Sequence, residues 1–411
     1  MRKIRLLVGL AALTCIPSTH ASDDDVKWSG YMDLVGGILK DKPVSDVSGK
    51  TQHPGSLDYE NRFTGMHDSI FALQASKRLN DKLSVTGQFI ARGSEQEFQA
   101  GVSWAYGSYD IDDNSTIRFG RLGMPTFYYS DFVDVGTTYH WVSPPAEVYD
   151  FQLHYEGLDY IRHDSTKHLD FTTEIYGGSL DQDLHRPDGS VVSIKDRDIL
   201  GISFMSTLNS WLTARLMTMN SEASTTSNLN FEPLLEPARA YTDSAGITAI
   251  ANSANVLLNT DFSQYKYYNA LLKADFDNWF IMAEGMRSDG GELFRNKNRR
   301  WYASAGIRFG KVVSYFTFAR SEDDSSPVPS IGALAGLTGI NKAIADNLAT
   351  SVVNGAEADN KSYTVGVRID TTRSTAVKVE LTQFEEFASS PSETAGIGKN
   401  MLLRAAFDAS F

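Results

Sequence analysis

From residue 299 to 309 the chain reads Arg-Arg-Trp-Tyr-Ala-Ser-Ala-Gly-Ile-Arg-Phe, with an apolar side chain at every second position. Successive side chains of a β-strand point to opposite faces, so Trp301, Ala303, Ala305, Ile307 and Phe309 share one face. Tyr302, Ser304, Gly306 and Arg308 share the other. Gly310-Lys311 then turns the chain into Val313–Arg320, another strand-like run. The same period recurs at Tyr363–Asp370, at Val377–Thr382 and at Met401–Phe411. A soluble sandwich has a dry core on one face and water on the other. Charged residues on the same side as glycines and serines, strand after strand, fit a water-filled lumen better. The opposite face then needs an apolar partner, and lipid supplies it to a closed barrel.

Sixteen segments carry the pattern: 27–39, 68–79, 82–92, 99–110, 115–123, 152–163, 168–177, 197–206, 210–220, 264–276, 278–288, 299–309, 312–321, 361–370, 375–386 and 400–411. The segment at 197–206 is the faintest. Short links alternate with long ones. The long ones run over roughly 40–67, 124–151, 178–196, 221–263, 289–298, 322–360 and 387–399. Short turns on one rim and larger loops on the other are the signature of an all-β, transmembrane, antiparallel up-and-down barrel. Residues 331–349 and, more weakly, 232–256 have helix-compatible sequences within the long links.

The start of the chain has the order of a secretory signal. Arg2, Lys3 and Arg5 precede the apolar run Leu6–Pro17, and Thr19-His20-Ala21 is a cleavage sequence. Residues 1–21 are thus expected to be a signal peptide and residues 22–411 the barrel domain. Cys15, the one cysteine, falls within the signal, and its lead-in fits a lipoprotein site poorly. A mature chain without cysteine has no disulfide and no thiolate metal site. No later stretch reaches the ~18 apolar residues of a membrane helix, in line with a mean hydropathy of −0.27. Losing three basic residues takes the formal charge from −13 to −16, which disfavours nucleic acid as a partner.

Signal, cysteine-free body, about sixteen strands and a final amphipathic strand ending in Phe411 together resemble the Gram-negative general porins. The local resemblance lies in that last strand and in Ile117-Arg118-Phe119-Gly120-Arg121-Leu122-Gly123-Met124-Pro125. The latter is similar to the family's fifth strand, which leads into a third outer loop folded into the pore. The resemblance implies a homotrimer in the outer membrane, in contact with lipid and lipopolysaccharide. It also implies Phe411 as the residue recognised by the barrel-assembly machinery. Residues 124–151 take the place of the third loop. They are rich in aromatics, stiffened by Pro144-Pro145, and lack the family's common acidic motif. Tyr129, Asp131, Asp134, Glu147 and Asp150 are the candidate constriction residues on this loop. Strand parity names Arg78, Arg92, Arg118, Arg404 and, less directly, Arg121 as the basic wall facing it. Arg215, Arg308, Arg320, Arg368 and Lys378 are expected to face the lumen elsewhere, paired with acids such as Glu284, Asp370 and Glu380 or facing solute.

The function so implied is passive diffusion of small hydrophilic solutes and ions, with no cofactor or energy source. A solute-preferring channel, for dicarboxylates, phosphate or sugars, is the alternative within transport. An enzyme would need a nucleophile and base at one rim. His140 and His154 lie near Ser130 and Ser143 in sequence, without a nucleophile-elbow signature. The outer loops of such a barrel can also serve as adhesins or phage receptors. His163 and His168 flank a turn without a third metal ligand nearby, and Asp110–Asn114 reads as a plain turn rather than a calcium loop.

Overall fold

The computed structural model describes residues 26–40, 59, 61–93, 98–149, 153–185, 191–227, 262–290, 296–325, 358–388 and 398–411. The expected signal peptide and both helix-compatible stretches lie outside these residues. The strands are β1 (Lys27–Leu39), β2 (Ile70–Arg78), β3 (Leu83–Gly93), β4 (Phe98–Asp112), β5 (Ser115–Gly123) and β6 (His154–Ser165). There follow β7 (Leu169–His185), β8 (Val191–Leu208), β9 (Leu212–Ser227), β10 (Ser263–Asp275) and β11 (Trp279–Asp289). The last are β12 (Asn296–Phe309), β13 (Val312–Ser325), β14 (Ala358–Asp370), β15 (Thr375–Ala388) and β16 (Gly398–Ser410). Each pairs antiparallel with its neighbours in chain order, and β1 closes on β16 with Tyr31 opposite Ser410 and Leu39 opposite Leu402. The result is a closed sixteen-stranded barrel with no free sheet edge.

Alternation sorts the side chains as the sequence implies, but the distribution is the reverse of a soluble protein's. Val365 and Leu403 on the outer face are 52% and 47% exposed, whereas Lys378 and Asp408 on the inner face are 0% exposed. An outer surface of Leu34, Phe89, Leu216, Ile281 and Phe316 is far too large an apolar patch to be stable against water. It is stable against hydrocarbon. Among the described residues no helix is long and apolar enough to cross a membrane.

Turn chemistry fixes the short links. Asn80 Oδ1 accepts the Lys82 and Leu83 amides at 2.9 Å each. Asn209 and Ser210 take positive φ (46° and 63°), the handedness that matches a two-residue hairpin to the strand twist. Inside the barrel, aromatic rings lie flat over cross-strand glycines: Tyr176 over Gly201, Phe280 over Gly306 and Tyr315 over Gly366. A Cβ at any of these glycines would occupy the ring's place.

Three expectations are corrected. The link at 178–196 is largely strand, because β7 and β8 continue to His185 and from Val191. There the alternation of lipid and lumen ends, since both faces of Asp181–Asp183 meet water, and the pattern that marks a strand fades. The faint segment at 197–206 belongs to a full strand that contains a bulge between Arg197 and Leu200, with Asp198 at φ 54°. A bulge shifts parity, which breaks the sequence period. Arg320 faces outward, not into the lumen. It shares parity with Phe316, while Tyr315, Thr317 and Ala319 are buried inside, and it pairs with Asp359 at 2.8 Å and with Glu322.

Candidate functional site

The loop after β5 touches residues of β1, β9, β11 and β12 through β16, which stand around most of the circumference. A segment leaving one strand of a closed barrel reaches all of these only from within. Its neck is closed by the Met124 amide donating to the Leu153 carbonyl at 2.9 Å.

Charged wall residues hold this loop by its main chain. On β9, Arg215 donates to the Pro125 and Thr126 carbonyls at 2.5 and 3.2 Å. On β14, Arg368 donates to the Thr137 and Tyr139 carbonyls at 2.9 and 2.5 Å. On β15, Lys378 donates to the Gly136 and Trp141 carbonyls at 2.6 and 2.5 Å, and pairs with Asp408 at 2.8 Å. Acids take the amides: Tyr128 donates to Glu284 at 2.7 Å, Gly136 to Asp33 at 2.9 Å and Val142 to Glu380 at 3.0 Å. Charge-assisted bonds of this kind are about twice as strong as neutral ones. They also satisfy ions that would be costly to bury alone. Gly136 is required at its position, since a Cβ there would lie 2.7 Å from Asp33 Oδ1 and 2.8 Å from Asp408 Cγ.

Aromatic packing fixes the loop's inner side. Tyr129, Tyr139, Trp141 and Val148 pack on Leu271, Phe280, Met282, Tyr302 and Tyr315 of the β10–β13 wall. The Trp141 ring stands edge-on to Tyr129 (5.8 Å, 81°) and to Tyr302 (5.3 Å, 89°), and its Nε1 donates to Thr317 at 2.8 Å. The Tyr149 hydroxyl donates to Glu284, which also accepts from Tyr302 at 3.1 Å. His140 Nε2 lies 2.8 Å from Ser304 Oγ, with the imidazole packed among the tilted rings of Trp141 and Phe280 and edge-on to Tyr315. Burial, reinforced by Lys378, Lys273, Arg368 and Arg308, pushes this loop imidazole well below its ordinary pKa, so it is neutral.

The opposite side of the loop packs more sparsely, with Val135 against the Tyr31, Ala72 and Ile90 cluster. Asp131, Phe132, Asp134 and Val135 border a cavity of ≈ 280 Å³ whose other walls are Ser29, Tyr31, Gln74, Gln88, Trp104 and Ser410. Gln88 donates to Gln74 at 3.1 Å, and Arg92 forks onto Asp134 at 2.5 and 3.3 Å. Two carboxylates and one guanidinium give the border of this cavity a net negative charge.

The sequence-derived candidates divide accordingly. Asp131 and Asp134 border the cavity, and Arg92 meets Asp134 there. Tyr129 is buried in the aromatic cluster and Glu147 is buried as well, and neither lines the cavity. Asp150 lies outside the described residues. Arg78 is at the short-turn rim, donating to the Asn80 and Asp81 carbonyls, away from the loop. Arg118 is held by Asp159 and, at 3.1 Å, by Glu174, with its guanidinium 5.8 Å from the Tyr106 ring centroid. Arg121 shares parity with the exposed Phe119 and faces outward, 3.8 Å from Glu156. Arg404 is taken up by Asp68 at 2.7 Å, by Glu380, and by Ser143 of the loop at 2.6 Å. The sequence reading missed the carboxamides Gln74 and Gln88 and the aromatics Tyr31 and Trp104. Gln74, Gln88 and Tyr31 have inward parity but no charge to mark them, and Trp104 comes inside only because the register shift between Gln88 and Phe89 breaks its parity with the exposed Val102. The Ser and His residues of the enzyme reading do not assemble: Ser143 binds Arg404, Ser130 Oγ caps the Phe127 amide, and His154 meets Ser103 at 2.9 Å on a different strand.

No protein-family profile matches the chain, and no curated protein matches it in sequence. Solved structures match in shape. The outer-membrane channel DcaP of Acinetobacter baumannii superposes with a TM-score of 0.54 at 11% identity, covering 94% of this chain and 97% of that one. OmpF of Salmonella typhi, solved with daunomycin, gives 0.52 at 12% identity, covering 95% and 98%. The anion-selective porin of Comamonas acidovorans gives 0.52 at 12%, covering 94% and 99%. The chain has the fold of these Gram-negative outer-membrane proteins over nearly its whole length.

Proposed function

We propose, from a barrel fold shared with Gram-negative porins, that this protein is an outer-membrane pore through which small hydrophilic solutes and ions diffuse down their gradients. The observation that carries this reading is the inverted burial: an apolar exterior around an interior of charged and polar side chains. Such an interior holds water, and the inserted loop narrows it without filling it. The passage beside Asp131 and Asp134 sets size and charge selection, with Arg92 as the opposing charge. The reading includes export by a cleaved signal peptide and recognition of Phe411 during assembly. Assembly as a homotrimer in contact with lipopolysaccharide belongs to it too.

Planar-bilayer recordings test it. Purified protein is expected to give stepwise, long-lived openings, with a reversal potential in a salt gradient that favours cations. Absence of any conductance from correctly folded protein would remove the reading. A second reading, preference for one solute class, is favoured by the modest cavity and by its Gln74, Gln88 and Trp104 wall. Block of the current by low concentrations of a single solute would select it.

A further inference from the structure

We propose that the cavity between the inserted loop and the β1–β4 wall is a subsite for a small organic amine in its ammonium form, one with an apolar body. The inference rests on the pore reading and names the solute that the second reading leaves open. The register builds the wall as one inward row across four strands. Ser29 stands opposite Gln74, Gln74 opposite Gln88, and Gln88 opposite Trp104. Asp131 and Phe132 of the loop border the same space.

Asp131 supplies the charge. It is exposed, and among the described residues its carboxylate takes no hydrogen bond and no ion pair. Arg92 is forked onto Asp134, and Arg118 is held by Asp159 and Glu174. The wall supplies a second acceptor. Gln88 is 6% exposed and donates to Gln74 at 3.1 Å, which leaves its carboxamide oxygen without a donor among the described residues. An ammonium brings N–H donors and no acceptor, the complement of a carboxylate and a carboxamide oxygen.

Three rings supply the apolar surroundings: Tyr31, Trp104 and Phe132. Each is braced from behind. Phe132 stands edge-on to Tyr128 (6.2 Å, 81°) and to Tyr129 (5.4 Å, 83°). Trp104 leans on Tyr106 at 6.3 Å, and Tyr31 packs on Ala72 and Ile90. Rings already fixed lose little freedom when a solute arrives, and their faces attract a cation. The indole offers its ring rather than its N–H, since Nε1 is buried without an acceptor. A bare metal ion fits less well, because among the described residues no three His, Cys, Asp or Glu side chains are grouped to hold one. An anion is opposed by the excess of acid over Arg92 at the border. At ≈ 280 Å³ the space is at the small end of the range for small-molecule sites, which limits the body to about one ring.

Phenethylammonium is the probe, set against phenylacetate and 2-phenylethanol, which keep the ring and reverse or remove the charge. Titration calorimetry on the full barrel in detergent at low salt reads binding. Planar-bilayer recordings read block of the current. Phenethylammonium is expected to bind and to block, and the other two to do neither. D131N is expected to weaken both effects about tenfold. W104A is expected to weaken them about fivefold and W104F to keep most of the affinity, since a ring face remains. D277N, in the tight turn after β10, is expected to change nothing. Equal affinity in wild type and D131N overturns the inference, as does equal binding of phenethylammonium and 2-phenylethanol. Conductance without binding overturns it and leaves the pore reading in place. Binding without conductance upholds the subsite and removes the pore reading instead.

Discussion

Arg92 and Arg118 carry the same charge two strands apart, yet their surroundings give them different tasks. Arg92 is 39% exposed and shares Asp134 with the passage. Arg118 is 16% exposed and neutralises Asp159, which is 1% exposed, together with Glu174. Arg92→Gln is therefore expected to release Asp134 and move the reversal potential further toward cation preference, with little change in stability. Arg118→Gln is expected to leave selectivity nearly unchanged. It strands two acids in the wall and costs about 3–5 kcal/mol in denaturant unfolding. A selectivity change from Arg118→Gln as large as that from Arg92→Gln would contradict this division. Gly136→Ala is a sharper probe of the loop, because the added methyl would displace the Asp33 and Asp408 carboxylates that hold it. Its expected signature is flickering, larger single-channel current from a loop that no longer seats. The neutral His140 adds a pH dependence. Its folded pKa is depressed, so protonation favours the unfolded or undocked state, and docking weakens as pH falls below the ordinary histidine value of about 6.5. His140→Gln is expected to flatten that acid-induced flicker.

At the scale of elements, the inserted loop and the wall strands share one aromatic cluster. Trp141→Ala removes the ring that joins Tyr129 to Tyr302, with an expected loss of about 3–5 kcal/mol. Protease accessibility of the loop should rise while the barrel, read by its strand signal, stays folded. Strands were legible in the sequence wherever lipid and lumen alternate. Lys27–Leu39 and Ser115–Gly123 have the bounds the sequence implies. Legibility failed where that contrast stops: at the tips of β7 and β8, at the Arg197–Leu200 bulge, and at Arg320, whose charge suggested a lumen that parity denies it. The site was half legible. Charge pointed to Asp131, Asp134 and Arg92, but parity cannot say how high on the wall a residue stands. Arg78 and Arg404 were therefore grouped with Arg92, though one sits at a rim and the other holds the loop.

At the scale of the molecule, closure between β1 and β16 finishes at Phe411, whose amide and carbonyl exchange 2.9 and 2.8 Å bonds with Gly30. Its ring lies over Gly30, where a Cβ would fall 2.7 Å from it. The seam and the expected assembly signal are therefore one residue. Phe411→Ala is expected to lower the yield of heat-modifiable, folded barrel in outer membranes. Barrel refolded in detergent should then conduct normally. Normal yield in cells would detach the terminal ring from biogenesis.

Arg215, Arg368, Lys378, Asp33, Glu284 and Glu380 grip peptide groups, and every amino acid except proline brings the same pair. Asp131 and Asp134, which border the cavity, take no part in that grip or in the aromatic packing, whereas Phe132 and Val135 pack against the Tyr129 and Tyr31 clusters. Recoding the two acids should therefore retune what the channel admits while the scaffold stays as it is. A lineage, or a designer, could explore new cargoes there without first rebuilding the support beneath.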